Sequence, residues 1–572
     1  MKQSSKVLGI DLGTTNSEVA ILIDGKPILL SMEGSPVVPS VISIGKQGEV
    51  LIGRAAVNNE LANPEGSVRL IKRKMGRDEV VTLHGKDYTP AMLSSLILRR
   101  LKQAAEDFLG EPVTQAVITV PAFFNEKQRE ATKQAGELAG LEVVKLLNEP
   151  TSAALAYSLG RKEKELSLVY DLGGGTFDVS IVDLSSEVME VLASEGDVEL
   201  GGSDFDLLIA EKIKQQFMQE HDIDLSKNSL SWMRLLRAAE TAKIRLSSEA
   251  DAEISEEFIA EKHGVPLHVQ MRITRAEFED LIRPFLKKTI QCMQRALKQA
   301  ECLPSSLDRV ILVGGSTKIP LVAQLLQEEL FIAPQSWINP EIVVAQGACI
   351  EAASFDGVGV STVLVDLTPH SLGLETVNEW DCLSNSIIIH KNTPLPCSAS
   401  RLFYKRHLAQ GQVCIRVTQG ESFNLDHVTQ IGEFLLEDLE NSDRPEIYVK
   451  FELDRSGLLQ VTVIDVALGK KVSHVIEKKD HFVTKSANLA DLKALHIQKA
   501  SDQPIEAVEE ENVLVQEAPK EPLVEALIQK ALALLQKEHL SSQNQEELQR
   551  EIHLAKEGGN VEKLEELLYF LE

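Results

Sequence analysis

Two stretches of the chain, residues 7–23 and 168–184, share one pattern of apolar and polar positions. In each, a short apolar run leads to Asp-Leu-Gly, a turn rich in glycine or threonine follows, and a second apolar run leaves the turn. This predicts two β-hairpins, because glycine tolerates the backbone angles of a tight turn and lets another group approach closely. Either hairpin alone could be a plain turn. The repetition favours a duplicated fold in which two turns face each other across one site.

The two turns also carry candidate chemistry. Successive backbone N–H groups in such a turn can hold an anion. A carboxylate stands at the mouth of each turn, Asp11 in the first and Asp171 in the second. A carboxylate repels a bare phosphate but suits a divalent cation that bridges to phosphate. The pattern therefore predicts a metal-phosphate group held between the hairpins.

Elsewhere in residues 1–355, apolar strands alternate with amphipathic helices, which predicts an α/β fold with largely parallel sheets. The clearest such segments are 90–109, 116–125, 126–140, 143–157, 233–249 and 309–320. Beyond residue 366 the spacing changes to strict alternation, as at Ile447, Val449, Phe451 and Leu453. That period predicts an antiparallel β-sandwich over roughly residues 367–480.

The end of the chain shows two further patterns. Residues 501–522 combine glutamates with prolines, which predicts a solvated acidic linker. Apolar positions with helical spacing follow over residues 523–568, which predicts a short helical region.

Composition narrows the function classes. The chain has 572 residues, enough for about three or four domains, and a net charge of −27 with a pI near 5.0. This acidity argues against a nucleic-acid or anionic-membrane partner. Six cysteines without metal-ligand spacing predict free thiols and a cytoplasmic location. The absence of an apolar run of about 18 residues predicts no membrane span and no export.

For three groups of charged or polar residues, the sequence alone allows two interpretations each. Lys72, in the basic run LIKRKMG, lies either on a solvated face or in the phosphate cleft. Glu149, between a strand and Pro150, is either a helix cap or a site residue. The polar residues of the helix over 233–249 form either an ordinary surface or a binding face.

Seven motifs in order, DLGTTNS, AVITVPAFFN, LLNEPTSAALAY, VYDLGGGTFDVS, LGGSDFD, AAETAKIRLSS and VILVGGSTKIP, resemble the ATPase domain of the DnaK-type 70-kDa heat-shock chaperones. The stretch between Gly76 and Leu93 is short, which makes the chain most similar to the shortened HscC-like branch. The resemblance implies an α/β actin-like ATPase domain of two duplicated lobes, an antiparallel β-sandwich and a short α-helical lid. The implied boundaries are 1–358 for the ATPase domain, 359–368 for a linker, 369–482 for the sandwich, 483–522 for an acidic linker and lid start, and 523–572 for a reduced lid.

The resemblance implies ATP or ADP and Mg²⁺ as cofactors, with K⁺ as a further candidate ion. Asp11, Asp171 and Glu149 would surround the magnesium, mostly through water, and Lys72 and Thr176 would join them as the catalytic residues. Phosphate and adenosine would be held by Gly13, Thr14, Thr15, Gly173, Gly174, Gly175, Thr176, Gly201, Gly202, Glu240, Lys243, Ser247, Gly314, Gly315, Ser316 and Lys318.

In the family the sandwich binds extended apolar segments of unfolded polypeptides. The positions that match its pocket are Leu374, Val377, Phe403, Val413 and Ile415. Shortly after Phe403 come Lys405, Arg406 and His407. They predict a basic rim around the pocket, which would favour peptides with acidic residues beside the apolar segment.

The resemblance also implies coupling between the domains through Pro121, Arg129, Lys145 and Asp366. A J-domain co-chaperone would contact Lys145, Asn148 and Asp366, although lysine does not reproduce the bidentate contact of the family's arginine. The shortened first lobe argues against dependence on a standard nucleotide-exchange factor.

Three function classes follow. The first is an ATP-dependent chaperone in which slow hydrolysis switches peptide affinity. The second is a small-molecule kinase on the actin-like fold, which leaves residues 361–572 without a role. The third is a scaffold with a degenerate nucleotide site, against which the retained Asp11, Lys72, Glu149, Asp171 and Thr176 argue.

Overall fold

The computed structural model describes two α/β lobes, a β-sandwich and part of the C-terminal region. The described residues are 6–159, 164–184, 188–335, 339–357, 363–378, 380–405, 412–436, 446–466, 470–475, 489–498, 505–508, 528, 531–532, 535, 542–556 and 563. None of the helices in this part of the chain combines the length and the apolar character that a membrane crossing needs.

The first lobe is built on a mixed sheet in which β1 lies between a parallel and an antiparallel neighbour. Its strands are β1 (Val7–Asp11), β2 (Asn16–Ile23), β3 (Lys26–Ser31), β4 (Val38–Pro39), β5 (Ile42–Ile44), β6 (Glu49–Ile52), β7 (Ser67–Val68), β8 (Val81–Leu83), β9 (Lys86–Tyr88), β10 (Gln115–Val120) and β11 (Glu142–Asn148). Its helices are α1 (Arg54–Asn59), α2 (Pro90–Leu109) and α3 (Glu126–Leu138). Helix α2 begins where Thr89 Oγ1 accepts the Met92 N–H, and its apolar face packs into the core of the lobe.

The second lobe repeats the same design around the second predicted hairpin. Its elements are α4 (Glu149–Ser158), β12 (Glu165–Leu172), β13 (Phe177–Leu184), β14 (Val188–Asp197), α5 (Gly202–His221), α6 (Ser229–Leu246), β15 (Asp251–Lys262), β16 (Val265–Thr274), α7 (Arg275–Gln299), β17 (Arg309–Val313), α8 (Pro320–Leu330), α9 (Val343–Phe355) and β18 (Val363–Val365). The central sheet has the order β17-β12-β13-β14-β18. Helices α4 and α9 share an apolar cluster with strands of both lobes and so join the two sheets.

The sandwich follows the alternation of its sequence. Its strands are β19 (Leu372–Val377), β20 (Leu383–Ile389), β21 (Cys397–Tyr404), β22 (Val413–Gln419), β23 (Thr429–Leu436), β24 (Glu446–Leu453), β25 (Leu459–Asp465) and β26 (Lys470–Val475). They form two antiparallel sheets, β20-β19-β22-β23 and β21-β24-β25-β26. Every second residue of β24 is buried, and these are the four apolar positions that predicted the strand.

After the sandwich the chain returns to the first lobe. The elements there are α10 (Leu489–Lys493), β27 (His496–Ile497) and β28 (Glu506–Val508), and helix α11 (Ser542–Lys556) follows later in the chain. Strand β27 pairs with β6, and β28 extends the main sheet of the first lobe at the edge of β3. We call residues 489–498 and 505–508, which carry α10, β27 and β28, the strap.

Of the predicted solvated linker over residues 501–522, only residues 505–508 are described, and Glu506–Val508 form strand β28 there. An edge strand offers unpaired N–H and C=O groups to any extended segment that lies beside it, and β28 takes up those of β3. Leu492 and Leu495 of the strap are buried in the core of the first lobe. Of the apolar positions that predicted the lid, Ile528, Ala531, Leu548 and Ile552 are buried, and most of residues 523–572 lies outside the described residues.

Short 3₁₀ turns complete the described secondary structure. They are Pro64–Gly66, Ile71–Lys74, Leu225–Lys227, Pro304–Ser306, Gly315–Lys318 and Leu425–His427.

Candidate functional site

The turns of the two hairpins contact each other between the lobes. A Cβ atom on Gly174 would lie 1.8 Å from Thr15 Oγ1, and one on Gly175 would lie 2.3 Å from Thr14 Cγ2. Glycine is required at both positions, because any side chain would drive the turns apart. The two loops therefore face each other across one site, as the repeated pattern predicts.

A cavity lies beside these turns, and most of the residues predicted to bind metal or phosphate line it. Those that line it are Asp11, Gly13, Thr14, Thr15, Lys72, Glu149, Asp171, Gly173, Gly174, Thr176, Gly314 and Gly315. They come from both lobes and lie up to about three hundred positions apart in sequence. Glu18 and Glu341 also line the cavity, and they were not predicted as site residues.

Lys72 and Glu149 form a buried ion pair in this cavity. Lys72 Nζ lies 2.5 Å from Glu149 Oε1, and both side chains are almost fully buried. Lys72 therefore does not lie on a solvated face. The first turn of α4 has no side-chain cap, so Glu149 is positioned for the cavity and not for helix capping.

The carboxylates of the cleft are held in an environment that disfavours their charge. Burial, followed by the nearby Glu149, raises the pKa of Asp11 to about 7, even though Thr119 Oγ1 donates a hydrogen bond to it. Burial also raises the pKa of Asp171 well above its usual range and that of Asp178 to about 7. Such shifts show that Lys72 alone does not balance the acids of the cleft.

These carboxylates fit a magnesium nucleotide. A hard cation with oxygen ligands would supply the missing positive charge, and Mg²⁺ retains several waters when it binds. Among the described residues no three His, Cys, Asp or Glu side chains form a direct metal-binding group. Asp11, Asp171 and Glu149 therefore suit contact with the ion through water and phosphate oxygens.

The predicted adenosine residues lie on the second-lobe side. Lys243 Nζ is 2.8 Å from Asp206 Oδ1 and donates to the Gly202 carbonyl, which joins the end of α6 to the start of α5. Ser316 Oγ donates to the Gly173 carbonyl, and Gly201 packs on the turn at Gly175. These contacts bring α5, α6 and the 3₁₀ turn Gly315–Lys318 against the second phosphate loop.

The remaining adenosine candidates lie at the margin of this group. Glu240 is 3.3 Å from Arg69 Nη1 of the first lobe, and Lys318 pairs with Glu341 at 2.5 Å. Ser247 follows the last residue of α6.

Arg73 connects the two lobes beside the cavity, and the sequence analysis did not predict this role. It follows Lys72 in the same basic run, donates to the Gly175 carbonyl at 3.0 Å and pairs with Asp204 at 2.5 Å. The first lobe thereby holds the second phosphate loop from outside. Its position next to Lys72 was the only signal in the sequence.

The linker is seated on the second lobe. Strand β18 pairs in parallel with β14 at the edge of the central sheet. Asp366, just after it, accepts from Thr151 Oγ1 of α4 at 3.1 Å. The described part of the linker that the resemblance implies over residues 359–368 therefore adds an edge strand to the central sheet of the second lobe.

Arg129 connects the ATPase lobes to the sandwich. It is buried and donates to the carbonyls of Phe124 and Ala122, to Asn148 Oδ1 at 2.7 Å and to the Ser456 carbonyl at 3.3 Å. Asn148 precedes Glu149, so one side chain touches both the strand end beside the cavity and a sandwich loop.

Of the other predicted coupling residues, Pro121 lies just before this group. Its carbonyl accepts the Phe124 N–H at 3.1 Å. Lys145 is elsewhere on β11, where its Nζ lies 2.6 Å from Glu351 of α9.

The predicted peptide pocket is divided between the core and the margin of the sandwich. Leu374 and Ile415 are buried in the core, Phe403 and Val413 pack against it, and Val377 is 42% exposed. Burial alone therefore does not distinguish a pocket from a core at these positions.

The predicted basic rim is wrong for its first residue. The side chains of Lys405 and Asp465 are both 0% exposed, and Lys405 Nζ lies 3.2 Å from the Asp465 carboxylate. Buried charges require a partner, so this lysine turns inward and does not face a bound peptide. Arg406 and His407 lie outside the described residues.

Comparison with known proteins decides the family. The chain matches the family described as Hsp70 protein over residues 7–82 and 78–568. It belongs to the Hsp70 family. The two matched ranges overlap at residues 78–82, which lie between Gly76 and Leu93.

Membership in the Hsp70 family establishes the general architecture and the kinds of ligand. Hsp70 proteins are chaperones with an actin-like two-lobed ATPase and a β-sandwich, and the two lobes and the sandwich described above agree with this architecture. Members bind ATP or ADP with Mg²⁺, and they bind unfolded polypeptides and J-domain partners.

Proposed function

We propose that this Hsp70 protein hydrolyses ATP in the cleft between its lobes and uses the state of that cleft to change the affinity of its sandwich for extended apolar polypeptide. The observation that carries the proposal is the short chain of contacts from Lys72 to the sandwich. Lys72 pairs with Glu149, Arg129 bonds the preceding Asn148, and the same guanidinium bonds the Ser456 carbonyl.

The residues of the cleft suit phosphoryl transfer to water. Backbone N–H groups of the two turns and the hydroxyls of Thr14, Thr15 and Thr176 would bind the phosphate oxygens. Lys72 would hold positive charge at the γ-phosphate and orient the water that attacks phosphorus as ADP leaves. Mg²⁺ bound beside Asp11, Asp171 and Glu149 would neutralise the charge of the phosphates.

The described arrangement has the sandwich seated on the ATPase lobes. In it Glu126 accepts the Leu459 N–H at 2.7 Å, and Lys391 of the sandwich pairs with Glu195 of β14. These contacts, together with the pairing of β18, give a state that nucleotide can favour or disfavour by moving the lobes. Linkage then requires bound peptide to alter nucleotide affinity by the same factor.

The pocket residues favour an extended apolar segment as the ligand. Such a segment offers its backbone to loop groups and one apolar side chain to a pocket, which gives broad recognition. Val377, Phe403 and Val413 remain accessible enough at the margin of the sandwich core to contact it.

The test is ATP turnover with and without an unfolded apolar peptide. We expect the peptide to accelerate turnover in the wild type and to have no effect in Asp366→Ala, which loses the contact of the linker with Thr151. Asp280→Ala, on the exposed face of α7, is the matched control and should respond like the wild type. Turnover that ignores peptide in the wild type would contradict the proposal.

A further inference from the structure

Arg73 of the first lobe binds a peptide group of the second phosphate loop. Its Nε donates to the Gly175 carbonyl at 3.0 Å, and its two terminal nitrogens donate to the two carboxylate oxygens of Asp204 at 3.0 and 2.5 Å. This bidentate pairing fixes the plane of the guanidinium, because its rigid fork matches the geometry of a carboxylate. The Gly175 carbonyl therefore faces a donor whose position is fixed.

Asp204 is held in place by the start of α5. It is the third residue of this helix, and its Oδ2 accepts the Gly201 N–H at 2.8 Å. Gly201 in turn packs on the loop, since a Cβ atom there would lie 2.5 Å from the Gly175 nitrogen. The carboxylate, the helix start and the loop thus form one packed unit, and Arg73 joins this unit to the first lobe.

The Gly175 carbonyl and the Thr176 N–H belong to the same peptide group. In a planar trans peptide these two groups point in opposite directions. Thr176 lines the nucleotide cavity, whereas Arg73 is outside the group of residues that lines it. Among the turn and loop contacts of the described residues, the Thr176 N–H donates to no carbonyl. Holding the carbonyl outward therefore directs this N–H into the cavity, where a phosphate oxygen can accept it.

The glycine at position 175 makes this restraint necessary. Rotation of the following peptide group costs little at glycine, because no Cβ atom restricts the backbone. A rotated peptide would direct the carbonyl oxygen of Gly175 into the cavity, where it would repel phosphate. Arg73 opposes the rotation, since its Nε would lose that acceptor.

Arg73 shares one short turn with Lys72. Both belong to the 3₁₀ turn Ile71–Lys74, but Lys72 faces Glu149 in the cavity and Arg73 faces the loop from outside. Leu70, just before the turn, has a φ of 55°, a left-handed conformation that is unfavourable for a residue with a large side chain. Such a conformation persists only where the surrounding contacts require it. One strained segment therefore places both cations.

We propose that Arg73 is a positioning residue for ATP hydrolysis, which keeps the peptide group between Gly175 and Thr176 turned so that the Thr176 N–H donates to the terminal phosphate. The inference rests on the proposed function and deepens it. Because the guanidinium comes from the first lobe, the second phosphate loop has its productive conformation only while the two lobes are closed on each other.

The test compares Arg73→Gln with the wild type on the full chain in three measurements. These are single-turnover hydrolysis of ATP with Mg²⁺, ADP affinity by calorimetry, and the amide resonance of Thr176 on addition of ADP with beryllium fluoride, a mimic of the terminal phosphate. We expect hydrolysis to fall at least about tenfold, since outright removal of such a donor costs about 10²–10³-fold. ADP affinity should stay the same. The Thr176 resonance should shift with the mimic in the wild type and much less in the variant.

Arg77→Gln is the matched control. Arg77 also pairs with an acid of the second lobe, Glu199 at 2.5 Å, but this exposed ion pair does not contact the loop. The control should hydrolyse ATP like the wild type. Asp204→Asn removes the charge that anchors Arg73 and should also slow hydrolysis. The double variant with Arg73→Gln should be no slower than Arg73→Gln alone, because both changes act through one contact.

The outcomes separate this inference from the proposed function. Hydrolysis at the wild-type rate in Arg73→Gln, or an unchanged response of the Thr176 resonance, would overturn the inference and leave the proposed function intact. Equal slowing in Arg77→Gln would also overturn it, since any ion pair between the lobes would then suffice. Absence of both ADP binding and ATP hydrolysis in the wild type would overturn the proposed function together with this inference.

Discussion

Ser456 offers a direct way to weaken the seating of the sandwich without touching the nucleotide. Its Oγ accepts the Leu146 N–H of β11 at 3.1 Å. Strand β11 is the outer strand of its sheet, so this side chain supplies the partner that a neighbouring strand would otherwise provide. In Ser456→Ala the Leu146 N–H is left buried and unpaired while the sandwich is seated, whereas water satisfies it when the sandwich leaves.

The size of the effect follows from that asymmetry. Leaving a buried backbone donor without a partner costs about 1–3 kcal/mol. The equilibrium between seated and released sandwich should therefore shift toward release by about 5–150-fold. The folding stability of the separate lobes and of the sandwich should stay the same, because water replaces the lost bond once the two surfaces part.

The assay is hydrogen exchange of the linker strand β18 in the presence of ATP. We expect faster exchange of Val363–Val365 in Ser456→Ala than in the wild type. Ser400→Ala, on an exposed position of β21, is the control and should exchange as the wild type does. Unchanged protection of β18 in Ser456→Ala would refute the assignment of this contact to the seated state.

Three more predictions follow from buried charges. Burial raises the pKa of Glu126 from 4.5 to about 8 where it meets the sandwich, so seating takes up a proton. Seating should therefore weaken as pH rises toward about 8 and change no further above it, and Glu126→Gln should remove this dependence in the same exchange assay. Lys72→Ala should lower ATP turnover by about 10²–10³-fold while calorimetry still detects ATP binding, and full turnover would exclude Lys72 from catalysis. Lys405→Met removes the buried positive charge that lies 3.2 Å from the Asp465 carboxylate, which should destabilise the sandwich by about 3–5 kcal/mol in thermal or urea unfolding, and Lys405→Met with Asp465→Leu should recover most of it. Equal stability of the single and double variants would contradict that pairing.

The strap shows where local patterns stop being informative. Residues 506–508 are Glu-Ala-Val in an acidic, proline-containing stretch, and nothing in that composition predicts a strand. They pair with β3 because the fold leaves that edge open beside them. Lys405 is a similar case, since its neighbours in sequence suggest a basic surface while its partner Asp465 lies on another strand.

Period and turn chemistry by themselves determined the two hairpins, the change from α/β to alternating β near residue 366, and the acids Asp11 and Asp171 at the turns. These features are local, because a hairpin and a buried face are encoded by neighbouring residues. The tertiary structure alone decided that Glu18 faces Asp11, that Arg73 holds the opposite phosphate loop and that Arg129 reaches the sandwich. Each of these contacts depends on strand register or on the packing of distant segments. The spacing of residues within one segment predicts neither the register nor the packing.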